Sequence, residues 1–183
     1  MKKILGLVLS LTVICGVCAG VLAYVNKVTE KPIRETAARN EAAAVKAVMP
    51  AGVVKVEKSG EGEDAVSVGY DADGVAVGYA AVGADGGGYG GEIKLMVGFK
   101  ADGRTVVAYK TLSAAETPGL GMKLNTPEFS GQFAGRDGRT LQVKKDGGDI
   151  EAITSATITS RAVCKAIMDA QVKVAGAMTV VGK

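Results

Sequence analysis

The sequence contains no histidine and no tryptophan. Without imidazole there is no His-based general acid or base, no Ser-His-Asp triad and no His-ligated metal. Aromatic residues make up 4% of the chain, and the 22 basic and 19 acidic residues leave a net charge of only +3. A nucleic-acid partner would call for a clustered basic face with stacking aromatics, so none is expected. The three cysteines, Cys15, Cys18 and Cys164, are too few and too scattered for a disulfide framework or a zinc site. Cys15-x-x-Cys18 has a redox spacing but falls inside an apolar run, where it reads as incidental. Asp71-x-Asp73 lacks the further ligands and distal Glu of a calcium loop and reads as a solvated turn.

What is present begins with that apolar run. After Lys2 and Lys3, residues Ile4 to Val25 carry no charge over 22 positions. As a helix at ~1.5 Å per residue this is about 33 Å, enough for a bilayer core of about 30 Å. The run is longer than the roughly 7–15 apolar residues of a cleaved signal peptide, and Tyr24 and Asn26-Lys27 follow it as interface anchors. It therefore reads as an uncleaved anchor, residues 1–27, ahead of one domain, residues 28–183. Lys27, Lys31, Arg34 and Arg39 lie just beyond the span, and a literal count of positive charges would put the domain in the cytoplasm. The N-terminal tail is too short for that count to decide the orientation.

The fold class expected is α+β, with an antiparallel sheet and flanking helices behind a single transmembrane helix. Thr29 to Met49 reads as a helix, with Pro32 near its start and an apolar stripe through Ala38, Ala42, Val45 and Val48. From residue 53 the pattern switches to period two: Val54-x-Val56, Val66-x-Val68 and Val75-x-Val77-x-Tyr79. Asp71–Gly74 and Ala101–Gly103 are hairpin turns, the second joining strands 93–99 and 104–110. Thr126 caps a short helix to Phe133, Leu141–Val143 forms a short strand, and Arg139, Lys144 and Lys145 form a solvated face. Residues 179–183 read as a frayed end.

Two glycine-bearing segments follow the sheet pattern: Gly86-Gly87-Gly88-Tyr89-Gly90-Gly91-Glu92-Ile93, and Glu116-Thr117-Pro118-Gly119-Leu120-Gly121. The second is a turn in which Pro sets φ and Gly permits either sign. Further on, Glu151 to Ser160 packs five hydroxyl residues, Thr154, Ser155, Thr157, Thr159 and Ser160, into ten positions. They precede Val163, Ile167, Ala170 and Val174, whose spacing is helical. Hydroxyls at a helix start are either caps or part of a phosphate site, since the unpaired N–H groups and the dipole favour an anion there.

These three segments together resemble the covalent-FMN domain family, which includes the G subunit of the Rnf electron-transport complex and the C subunit of the sodium-pumping NADH:quinone oxidoreductase. Thr154-Ser155-Ala156-Thr157 is similar to the family's (Ser/Thr)-Gly-Ala-Thr, Glu116–Gly121 matches its Glu-Thr-Pro-Gly-Leu-Gly, and the segment around Tyr89 resembles its entry into a central strand. The resemblance implies FMN joined by a phosphoester to Thr157 and attached by a flavin transferase with FAD as donor. Thr154, Ser155, Ala156, Thr159 and Ser160 would lie around the phosphate, and Glu116, Thr117, Gly119, Leu120 and Tyr89 around the ring. It further implies an electron relay on the extracytoplasmic side of the inner membrane, in an ion-translocating ferredoxin:NAD oxidoreductase with other membrane subunits as partners. The length favours the Rnf G subunit over the longer C subunit. The sequence departs from the pattern at Glu151 (usually Asp), Ser155 (usually Gly) and Ala114 (usually His). A non-redox, membrane-anchored interaction module, with the hydroxyls as caps, is the alternative read from the residues.

Overall fold

The structure, a computed structural model, describes residues 2–60 and 62–181. The chain divides into two compact units, Met1–Asn40 and Glu41–Lys183.

The first unit lies within helix α1, Lys2–Val48, which runs without interruption through Pro32. The sequence pattern suggests separate helices, one over 4–25 and one from 29. Residues 26–28 are instead helical, and nothing in Asn26-Lys27-Val28 breaks a helix once the turns on either side have formed. Within Gly6–Val48 the most apolar stretch reaches a mean hydropathy of 2.4 with none of it buried, so the helix is long and apolar enough to cross a membrane.

The second unit is built on five antiparallel strands in sequence order: β1 Lys55–Ser59, β2 Val66–Tyr70, β3 Ala76–Gly88, β4 Gly91–Lys100 and β5 Val106–Ala114. A long C-terminal helix, Thr157–Val181, covers one face; it is α3, after the short α2 described below. The strands alternate as period two requires. Tyr79, Ala81, Leu95, Val97 and Phe99 face α3 and join Val163, Ile167, Ala170 and Val174 in the main core. Ala80, Met96 and Val82 face the other way, onto Ala44, Val45 and Val48 at the end of α1. Glycine stands where a helix or loop comes closest to the sheet. A Cβ on Gly83 would overlap the Ala166 carbonyl of α3, and one on Gly98 the Val48 carbonyl of α1. Edge strand β1 is exposed along its whole length and carries Lys55, Glu57 and Lys58, charges that discourage pairing with another chain.

Between β5 and α3 the chain makes a compact insert without strands. A 3-10 turn at Gly121–Asn125 leads into α2, Pro127–Ser130, and a second 3-10 turn at Gly131–Phe133. Leu124, Phe129 and Phe133 enter the main core. Thr126 begins α2 without capping it: its hydroxyl donates back to the Lys123 carbonyl at 2.9 Å. Residues 141–143 form no strand. Val143 makes a single parallel bridge with Ile150, because Gly147 and Gly148 turn the chain too tightly for a longer ladder. Cys164 is buried, and burial pushes its thiol up to about 12, so it stays protonated and packs as a small apolar residue. Residues 179–181 continue α3, and 182–183 lie outside the described residues.

Candidate functional site

The register of β3 and β4 ends in the pair Gly88↔Gly91, with Tyr89 and Gly90 as the hairpin tip. The chain leaves β5 at Ala114 and reaches Glu116, which is buried at 7% exposure. Its carboxylate accepts the Gly90 N–H at 3.4 Å. A Cβ on Gly121 would collide with the same carboxylate, and one on Gly90 with the Ala115 carbonyl. Gly90 and Gly121 thus admit the close approach of the Ala115 backbone and the Glu116 side chain. Glu116 ties the hairpin tip to the turn that follows it.

That turn closes with the Leu120 N–H donating to the Thr117 carbonyl at 3.2 Å, and Gly119 has φ +77°. Positive φ at the third position is what a type II turn demands. Across from it, the Ala156 N–H donates to the Ile153 carbonyl at 2.9 Å, with Ser155 at φ +64° in the third position. Ser155 is the only described non-glycine residue with positive φ. The departure from glycine in the motif therefore falls where the backbone favours glycine. Restoring it, Ser155→Gly, is expected to stabilise the domain by about 1 kcal/mol in urea unfolding, through relief of a left-handed Cβ clash.

The two turns and Tyr89 enclose a cleft of about 540 Å³, lined by Tyr89, Glu116, Thr117, Leu120, Gly121 and residues 155–159. Tyr89 is 73% exposed and stands at the mouth. Thr157 opens α3 and is half-buried, with its Oγ1 3.4 Å from the Lys145 ammonium. Thr159 is fully buried, and its hydroxyl has no partner. The N–H groups of Thr157, Ile158 and Thr159 open α3 without an intrahelical acceptor, and the ladder begins with the Ser160 N–H donating to the Ala156 carbonyl at 3.0 Å.

The remaining hydroxyls lie elsewhere. Ser160 is spent on the backbone: its Oγ accepts the Ile153 N–H and donates to the Ala156 carbonyl, both at 2.9 Å. Thr154 faces a separate recess beside Lys123, Gln132 and Glu151. The capping alternative fares poorly. The residue before α3 is Ala156, which has no side-chain acceptor, and among the described residues none of the five hydroxyls accepts a first-turn N–H. Lys145, which in sequence belongs to a solvated face, is the site residue that pattern alone does not reveal. Only the fold brings it to Thr157, twelve positions away in the chain.

A flavin nucleotide fits these features. The cleft lies within the roughly 300–1,000 Å³ of small-ligand sites. Its anion-favouring corner holds an unpartnered buried hydroxyl, and its opposite wall offers Leu120 and Tyr89.

Comparison with known proteins agrees with that chemistry. Residues 88–172 match the FMN-binding domain family. Over 180 residues, 92% of this chain and 93% of the relative, the sequence is 32% identical to the G subunit of the ion-translocating oxidoreductase complex of Methanosarcina acetivorans. The chain belongs to this G-subunit family. The Escherichia coli member is 33% identical over 166 residues, 81% of this chain and 80% of its own. The Clostridium ljungdahlii member, named as the G component of a proton-translocating ferredoxin:NAD(+) oxidoreductase complex, is 43% identical over 86 residues, 45% of this chain and 46% of its own. Among solved structures, Shewanella oneidensis NqrC superposes with a TM-score of 0.51 at 15% identity, covering 70% of this chain and 72% of that one. NqrC thus shares the fold of this family member, and at that identity the likeness extends no further.

Proposed function

We propose that this chain is the flavin-carrying subunit of an Rnf-type ion-translocating ferredoxin:NAD oxidoreductase, with FMN esterified through its phosphate to Thr157 Oγ1. The observation that carries the reading is the position of Thr157. It is the first residue of α3, it opens into the cleft, and it lies beside a cation and the unpaired N–H groups of the helix start. When bound, FMN supplies one-electron redox chemistry.

The chain's own residues do the rest. Thr157 Oγ1 is an attachment point, fixed at the cleft rim by the helix it starts. Attachment by a flavin transferase forms the Oγ1–phosphorus bond, breaks the phosphoanhydride of FAD, releases AMP and frees the hydroxyl proton. Thr159 and the free N–H groups at the start of α3 would hold the phosphate oxygens. Leu120 and Tyr89 offer apolar surface to the ring, and Glu116 holds the Thr117–Gly121 turn and the hairpin tip in place from beneath. The anchor spans the membrane over residues 1–27, and residues 28–183 lie outside the cytoplasm, where a covalent tie keeps the nucleotide from diffusing away. The partners are the other membrane subunits of the complex.

In-gel fluorescence tests the reading. The chain is co-produced with a flavin transferase, extracted from membranes and run in SDS. The band is expected to fluoresce as flavin, and Thr157→Val is expected to be dark at equal loading. A fluorescent Thr157→Val band contradicts the assignment of the attachment residue.

A further inference from the structure

Lys145 is held in place on a built turn. Residues Lys144–Asp146 form a 3-10 turn that ends at Gly147, φ +91°. The Lys144 N–H donates to the Ile150 carbonyl at 2.8 Å, and the Lys144 side chain pairs with Glu151. On the other side Asp146 receives two bonds from the Arg161 guanidinium, at 2.6 and 2.7 Å. Arg161 lies on α3, four residues past Thr157, so the turn is bolted to the helix whose start it faces. The same guanidinium holds the Asp146 carboxyl below the usual carboxylate range. Lys144 and Arg161 are thereby each matched with a carboxylate. Among the described residues Lys145 has no carboxylate at ion-pair distance, and its ammonium is directed at a neutral hydroxyl.

The cleft that Thr157 opens into is also lined by Thr159, fully buried with an unpartnered hydroxyl, and by the start of α3 with its free N–H groups. The ammonium thus lies against Thr157, at the edge of the cleft that Thr157 and Thr159 line, and the Asp146 carboxylate whose charge it feels is already bound twice by Arg161.

We propose that the flavin-free chain already binds a flavin phosphate at this corner without a covalent bond, with Lys145 as the positioning residue that supplies the charge. The inference rests on the reading that the cleft takes a flavin, and it adds that the phosphate is recognised independently of the ester. Lys145 is exposed, so its contribution falls with ionic strength.

The test uses the full chain in detergent, produced without a flavin transferase and shown by mass to carry no adduct. Equilibrium dialysis compares FMN with riboflavin, which lacks the phosphate. FMN is expected to bind about tenfold more tightly, the worth of roughly one charge-assisted hydrogen bond. Inorganic phosphate is expected to displace FMN and leave riboflavin bound, and added salt to weaken FMN alone. Lys145→Gln is expected to abolish the preference and Lys145→Arg to retain most of it. Equal binding of the two flavins, or binding of neither, overturns the proposal, as does a full FMN preference in Lys145→Gln. The adduct on chain made with the transferase is scored separately. An adduct without the FMN preference removes the phosphate corner and leaves the attachment standing, and the preference without an adduct does the reverse.

Discussion

Gly83→Ala is expected to destabilise the domain by about 3 kcal/mol or more, at or beyond the upper end of the usual cost of overpacking. Gly83 lies on β3 with its α-carbon facing α3, where a methyl group would overlap the Ala166 carbonyl and press on the Ala170 side chain. A flexible side chain can rotate away from such a contact, but a helix carbonyl cannot. α3 would have to lift from the sheet and lose part of its burial of Val163, Ile167 and Val174. The consequence reaches the site, since the same helix presents Thr157. Gly86→Ala is the matched control. It lies on the same strand with nothing within 4 Å of the added carbon, and is expected to change stability by less than about 0.5 kcal/mol. Urea unfolding followed by circular dichroism measures both. Equal stability of the two variants would mean that α3 does not sit on β3 as described.

Phe133→Ala is the second large effect, a loss of about 3–5 kcal/mol from the cavity it leaves. Phe133 is completely buried. It meets Tyr109 edge-on at 5.5 Å and 79°, and Phe129 at 5.4 Å and 74°. The Tyr109 hydroxyl donates to the Leu124 carbonyl, so this aromatic group pins the insert to β5. The insert continues directly from the Thr117–Gly121 turn that walls the cleft. The variant is therefore expected to show a lower urea midpoint. A loss below about 1 kcal/mol would show that the insert is held by something other than its aromatic core.

The sheet is legible in the sequence where valine and isoleucine mark period two, as in β2 and β4. β3 is only half legible. Its second half, Ala80 to Gly88, is written in alanine and glycine, because α3 and the end of α1 come too close for larger side chains. Small residues carry no hydrophobic alternation, so the strand fades from view where packing is tightest. The insert is legible only as turns and one short helix. It is held by three aromatic rings and the main core rather than by local propensity, which is why Thr126 has the look of a cap and bonds backward instead.

The site divides the same way. The Thr117–Gly121 turn and the Thr154–Thr157 segment stand out because particular residue types must occupy particular backbone conformations. Their meeting across one cleft is a product of the fold. Lys145 is invisible as a site residue: one lysine among Arg139, Lys144 and Lys145 gives no signal. Arg139 pairs locally with Asp137, two residues away, whereas Lys144 meets Glu151 and Arg161 meets Asp146 only in the folded chain.

The central claim is best tested by intact and peptide-level mass spectrometry of the chain extracted from membranes that contain a flavin transferase. The expected result is a mass increment of one FMN less water, carried by a single peptide and localised to Thr157. An unmodified chain, or an increment carried by Thr154, Thr159 or Ser160, would contradict it.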